Sequence, residues 1–206
     1  MWEYLIKHYD DLLEALLEHL QIVVITLFFS LLLAAVLTIV SVYLKKLGEV
    51  LIQLSGILYS VPSLALFALL IPVTGLGMTT AVIVLTGYNQ YLLLRNFLTG
   101  LAEVDPAITE AATGLGMNTL QILVRVQIPL AKRALFTGIK LAVVSTIGIA
   151  TIAAMINAGG LGSILFDGLR TMNVNKIVWG SLLSAGLALG INACFSAAEK
   201  RLNVKN

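Results

Sequence analysis

The sequence predicts an all-α polytopic membrane protein, on the strength of its composition and the spacing of its charges. Of 206 residues, 59% are hydrophobic and only 12% are charged. Ordinary soluble domains carry about a quarter charged residues, so that class is excluded. Charged side chains are absent from residues 19–44, 50–94, 141–166 and 177–198. A helix needs about 20 apolar residues to cross the hydrocarbon core, so three of these intervals hold one span each and the longest holds two. Five transmembrane helices are expected, in one domain over residues 20–199.

Residues 1–19 read as an amphipathic helix that precedes the domain. Leu5, Ile6, Tyr9, Leu12, Leu13, Leu16, Leu17 and Leu20 recur at helical spacing opposite Asp10, Asp11, Glu14 and Glu18, the pattern of a helix lying at the membrane surface. The acidic start is unlike a cleavable signal peptide. His8 and His19 fall here without the cysteine or carboxylate spacing of a metal site. The first span is expected over Gln21–Tyr43, closed by Lys45 and Lys46. The second covers Leu51–Pro72, and an uncharged hairpin, Pro72 to Gly77, returns the chain into the third, Met78–Phe97, closed by Arg95. The fourth covers Ala134–Ile156, with Lys140 close enough to its start to snorkel. A glycine-containing re-entrant or surface loop follows over Gly159–Lys176. The fifth span covers Ile177–Ala197, followed by Glu199 and a short tail over residues 200–206. Cys194, the single cysteine, lies in the last span, can form no internal disulfide and reads as packing.

Orientation follows from the basic residues. One side of the five spans receives Lys45, Lys46, Arg95, Arg125, Lys132, Arg133, Lys140, Lys200, Arg201 and Lys205, and the other only Lys7, Arg170 and Lys176. The positive-inside bias puts the first group and the C-terminus in the cytoplasm and the N-terminus outside.

This places the longest polar interval, Val104–Leu130, in the cytoplasm. Asp105 and Pro106 fit an N-cap followed by proline at the first helical position. A short helix with small side chains at Ala107, Ala111 and Ala112 should run to Thr113, where Gly114 and Gly116 stop it. Asn118 and Gln121 have the spacing of a capping box for a second short helix, expected to end near Ile128 because Pro129 restricts the residue before it. The interval thus predicts two short helices joined by a glycine turn, with an alanine face that a partner can approach closely.

Glu110-Ala111-Ala112, then Gly116, then Ile128-Pro129 resemble the EAA loop of binding-protein-dependent ABC importer permeases. Val61-Pro62-Ser63-Leu64-Ala65-Leu66, Leu94-Arg95-Asn96, Val104-Asp105-Pro106 and Ala158-Gly159-Gly160-Leu161-Gly162 are similar to the osmoprotectant branch of that family. Together these stretches cover roughly Leu20 to Thr171. Tyr88-Asn89-Gln90-Tyr91 and Lys132-Arg133 depart from the more apolar segments expected there. The resemblance implies a type I importer permease fold in the plasma membrane of a prokaryote, importing glycine betaine, carnitine or choline. It implies that Asp105, Glu110, Ala111, Ala112, Gly114, Gly116 and Pro129 couple the chain to a cytoplasmic ATPase. The implied partners are ABC ATPase subunits that bind the ATP, a second permease subunit (identical or related), an extracytoplasmic binding protein and the lipid bilayer, with no nucleic acid. A permease for an amino acid such as methionine resembles the same plan.

Polar residues inside the expected spans need an explanation. Tyr59, Ser60 and Ser63, and Tyr88, Asn89, Gln90 and Tyr91, fall near mid-membrane, where polar groups face protein or water. They either hydrogen-bond between helices or line a path, and tyrosines suit a quaternary ammonium through cation–π attraction. Tyr59, Ser63, Tyr88 and Asn89 are therefore candidates for a substrate path. Gly159, Gly160 and Gly162 are candidates for an outward gate, with a tight turn as the plainer reading. No glycine loop with Lys-Ser/Thr suited to phosphate binding occurs, so ATP hydrolysis is not expected on this chain, and neither a cofactor nor a metal pair is implied. A secondary carrier is disfavoured because the spans lack buried carboxylates for proton coupling.

Overall fold

The computed structural model describes residues 1–203, apart from the side chains of residue 45 and residues 200–203, and no strand occurs among the described residues. A short helix α1 (Trp2–Lys7) breaks at His8, and α2 then runs without interruption over Tyr9–Tyr43. The separate surface helix expected over residues 1–19 is therefore corrected: the break falls at His8. No glycine, proline or capping side chain interrupts the chain between Tyr9 and Tyr43, so the helix simply continues. Leu12, Ala15 and His19 belong to one buried stripe with Ile22, Val23, Thr26, Ser30, Ala34, Thr38 and Ser41. At about 1.5 Å per residue, α2 is about 52 Å long, well beyond the roughly 30 Å hydrocarbon core.

The second expected span is two helices, α3 (Lys45–Ser60) and α4 (Ser63–Thr74), bent by 97°. The cause is local. Pro62 disfavours the helical region at Val61, which takes an extended conformation (φ −71°, ψ 136°). α5 (Met78–Ala102) is the centre of the bundle and packs against α2, α3, α4 and α8 (Ile128–Ala153). Small residues set the closest approach of α5 and α8. A Cβ on Gly100 would lie 2.3 Å from the Ala134 Cβ, and one on Gly138 would lie 2.8 Å from the Asn96 Cβ.

Between α5 and α8 lie α6 (Pro106–Gly114), α7 (Thr119–Ile122) and a π-helical stretch, Leu123–Gln127. After α8, a 3₁₀ turn (Ala154–Ile156) leads to α9 (Leu161–Arg170) and α10 (Val174–Asn203). The loop expected over Gly159–Lys176 is thus largely a ten-residue helix. Arg170 and Lys176 both donate hydrogen bonds to Asp167, tying α9 to the start of α10. They hold its carboxyl below the ordinary carboxylate range. α10 carries the chain through residue 203, and the rest of the expected tail, residues 204–206, lies outside the described residues.

By length and apolarity, three helical runs among the described residues can cross a bilayer: Tyr9–Tyr43, Thr119–Ile156 and Val174–Glu199. The bent pair Lys46–Ser60 and Ser63–Thr74 makes a fourth if counted as one span. This criterion alone admits three or four of the expected five among the described residues. α5 falls short because Thr79, Thr80, Tyr88, Asn89, Gln90, Tyr91 and Arg95 dilute its apolar content.

The bundle has two ends. At one, the Trp179 indole donates to the Met1 carbonyl, Gly77 approaches the Asn157 carbonyl, and Gly160 donates to Glu18. At the other, the α2–α3 turn at Gly48 packs on Ser41 and Leu98. A cavity of about 470 Å³ there is lined by Ser41, Gly48, Glu49, Pro106 and Gln127.

Candidate coupling and translocation site

The polar segment after α5 is built from local rules. Asp105 Oδ1 accepts from the Ala107 N–H at 2.9 Å, and Pro106 occupies the first helical position. α6 ends in a Schellman motif: Gly116 N–H donates to the Thr113 carbonyl (2.9 Å) and Met117 N–H to the Ala112 carbonyl (3.1 Å). Gly116 takes φ +81°, the left-handed conformation this motif requires. Gly114, expected to help stop the helix, is its last residue and has no positive φ. Asn118 and Gln121 form the expected capping box, with both hydrogen bonds at 2.9 Å.

Pro129 does not end the following helix. The chain runs from Thr119 to Ile156 without a stop, because Leu123–Gln127 widens into a π turn just before the proline. In an α-helix the Pro129 ring would press on the Arg125 carbonyl, and its missing N–H would leave that carbonyl without a partner. The π turn is a common way to absorb such a defect. The consequence is mechanical: α7 is joined to α8 without a flexible joint.

Of the expected coupling residues, Ala112 is buried, whereas Asp105, Glu110, Ala111, Gly114, Gly116 and Pro129 are exposed. Ile108, Leu115 and Leu120 are also exposed, with Leu115 at 84%. Leu115, which the sequence reading does not single out, stands at the tip of the turn, directly before the left-handed Gly116. Leu123 is 1% exposed and anchors the segment with Leu101 and Ala131.

The mid-bundle residues divide into two sets. Asn89 is 1% exposed. Its Nδ2 donates to Ser30 Oγ at 3.0 Å on α2 and Thr146 Oγ1 at 2.9 Å on α8. Gln90 Nε2 donates to the Ser30 and Thr86 carbonyls. Asn89 thus faces the interior of the bundle, away from any surface of this subunit that could line a path. The tyrosines form the other set. Tyr88 is 3% exposed and its hydroxyl donates to the Val61 carbonyl at the α3–α4 break. The Tyr59 ring lies 5.6 Å from the Tyr88 ring, edge-on, and 5.2 Å from the Tyr91 ring. Tyr59, Tyr91 and Ser63, the first residue of α4, are half-buried.

The candidate gate glycines cluster at the opposite end from the coupling segment. Gly159 (φ +84°) and Gly160 (φ +81°) make the turn into α9. The Gly160 N–H donates to Glu18 Oε2 at 2.8 Å. Gly162 lies so close to α8 that a Cβ would overlap the Thr151 carbonyl. Next to Glu18, the fully buried His19 places Nε2 3.1 Å from the Ile147 carbonyl. The turn is therefore held between α2 and α8.

Residues 26–205 match the family described as binding-protein-dependent transport system inner membrane component. The choline transport system permease protein of Bacillus subtilis is 33% identical over 192 residues, spanning 93% of this chain and 88% of that protein. The glycine betaine/carnitine/choline transport system permease protein of the same organism is 32% identical over 188 residues, 91% of this chain and 87% of that protein. Among solved structures, an inward-facing form of the MetNI methionine ABC transporter superimposes with a TM-score of 0.85 at 20% identity. It covers 93% of this chain and 95% of that one, a likeness of fold.

Proposed function

The chain belongs to the binding-protein-dependent transport system inner membrane components, and from that premise we propose that it lines the import pathway for a quaternary ammonium osmoprotectant: glycine betaine, carnitine or choline. It is a permease subunit and not itself an enzyme; the ATPase is a separate subunit. In this reading α2, the α3–α4 pair, α5, α8 and α10 make five crossings in the plasma membrane of a prokaryote. The N-terminus lies outside and the C-terminus in the cytoplasm. The polar α5 can cross because Asn89 and the Gln90 amide nitrogen donate hydrogen bonds inside the bundle, to α2, to α8 and to α5 itself.

The observation that carries the reading is the capped coupling segment at the basic end of the bundle, joined rigidly to α8. A partner ATPase that closes on ATP displaces α6. The π-helical junction transmits the displacement to α8, which packs on α5 and α2. One chain encloses no complete pathway, so a second permease subunit completes it. A binding protein delivers the solute to the end where Gly159, Gly160 and Gly162 close the turn.

The test is to assemble this chain with its ATPase in nanodiscs and measure ATP hydrolysis with and without a solute-loaded binding protein. Stimulation by loaded but not empty binding protein is expected. Equal hydrolysis with both would remove the coupling assignment.

A further inference from the structure

Arg95 is in an unusual position for an arginine on a membrane helix. It lies seven residues before the end of α5 at Ala102, about 10 Å short of that end along the axis. It is exposed on the surface of this subunit. No carboxylate pairs with it among the described residues. An arginine near a helix end lowers its cost by turning its head outward to the interface. Here the head turns the other way. The Cα–Cβ tilt starts it toward the helix N-terminus, and a 2.6 Å hydrogen bond from Nη1 to the Tyr91 hydroxyl, one turn deeper, holds it there. The guanidinium carbon lies 5.7 Å from the Tyr91 ring centroid. Tyr91 is itself held: a Cβ on Gly56 of α3 would come 3.1 Å from its ring, and the Tyr59 ring lies 5.2 Å from it between centroids. A charge held inward and exposed on this subunit must face water, a second subunit or a ligand, because hydrocarbon there would be costly.

We propose that Arg95, Tyr91 and Tyr59 form a subsite on the translocation path for a betaine, a solute with both a quaternary ammonium and a carboxylate. The inference rests on the osmoprotectant reading above and narrows it. Arg95 uses one of its five N–H groups on Tyr91 and offers the rest to a carboxylate, which it can grip with two parallel hydrogen bonds. The rings of Tyr59 and Tyr91 offer π faces to the ammonium. Choline has the ammonium but no carboxylate, so it meets the Arg95 charge uncompensated. The subsite therefore favours betaines over choline by repulsion as well as by attraction.

The experiment is ATP-driven uptake into proteoliposomes of glycine betaine and choline, each normalised to assembled permease–ATPase complex, for the parent, R95Q and R95K. The same binding protein serves all three, so its own selectivity cancels when a variant's betaine-to-choline ratio is divided by the parent's. In R95Q this ratio should fall about ten- to hundredfold, the value of a charge-assisted hydrogen-bonded contact. R95K keeps the charge and loses the two-pronged grip, so its ratio should fall between the two, and it carries the test if R95Q fails to assemble. A ratio that stays at the parent's value in both variants overturns the subsite, whether uptake drops or not. Choline uptake without betaine uptake in the parent also overturns it and leaves the osmoprotectant reading standing. Uptake of neither solute by the parent removes that reading, and the subsite with it.

Discussion

Glu18 of α2 caps the N-terminus of α9 by accepting a 2.8 Å hydrogen bond from the Gly160 N–H. The contact joins residues 142 positions apart and ties the turn before α9 to the first long helix. Gly160 has φ +81° and ψ −175°, a region nearly closed to residues with a Cβ. Its Cβ would also meet His19 Nδ1 at 3.0 Å and the His19 Cα at 3.2 Å. Gly160→Ala should destabilise the protein by about 1–3 kcal/mol, read as a lower thermal midpoint of the purified complex. An unchanged midpoint would show that the turn can relax freely.

Asn89, Ser30 and Thr146 act as one polar unit between α2, α5 and α8. Interhelical hydrogen bonds in membranes are worth about 0.6–1.7 kcal/mol each. A double-mutant cycle with Asn89→Ala and Thr146→Val should therefore give a coupling energy of about 0.5–2 kcal/mol in unfolding. Additive effects, with uptake per folded complex lost in Asn89→Ala alone, would return Asn89 to the substrate path.

Gly116→Val tests the coupling turn without a steric confound, since nothing lies within 4 Å of the position its Cβ would take. The whole effect comes from forcing a β-branched residue to φ +81°. Weakened ATPase association, or hydrolysis uncoupled from uptake, is the expected outcome. Normal association together with normal uptake would rule out this turn as the docking element.

Much of this arrangement was legible in the sequence wherever its causes are local. Asp105, Pro106, Asn118 and Gln121 act within four residues of themselves, and all four do what their spacing indicates. Partners far away in sequence were not legible. The N-terminus of α9 has no capping side chain of its own, and a segment bearing Asp167, Arg170 and several glycines reads as a loop until Glu18 is seen above it. Pro129 misled for a related reason: a proline rule says that the α-helical ladder must be disturbed and leaves open whether the chain stops or widens. α5 runs on to Ala102, past the end at Phe97 expected from Arg95, because a charged residue ends an apolar run without ending the helix.

Sidedness can be read with an impermeant thiol reagent in a Cys194→Ala background. Cysteines introduced at Thr74 and Asn173 should react in intact cells, and one at Asn118 only after the membrane is opened. Reaction of Asn118→Cys in intact cells would invert the orientation.

The central claim is that this chain imports its solute on energy supplied by an ATPase at the coupling segment. The most direct measurement is uptake of radiolabelled glycine betaine, carnitine and choline into proteoliposomes. These should contain the permease and its ATPase, with binding protein outside and ATP confined to the side that carries Asn118. The account expects accumulation of at least one of these solutes that requires both ATP and the binding protein and is abolished by Gly116→Val. Accumulation driven by an ion gradient, without ATP or the ATPase, would contradict it.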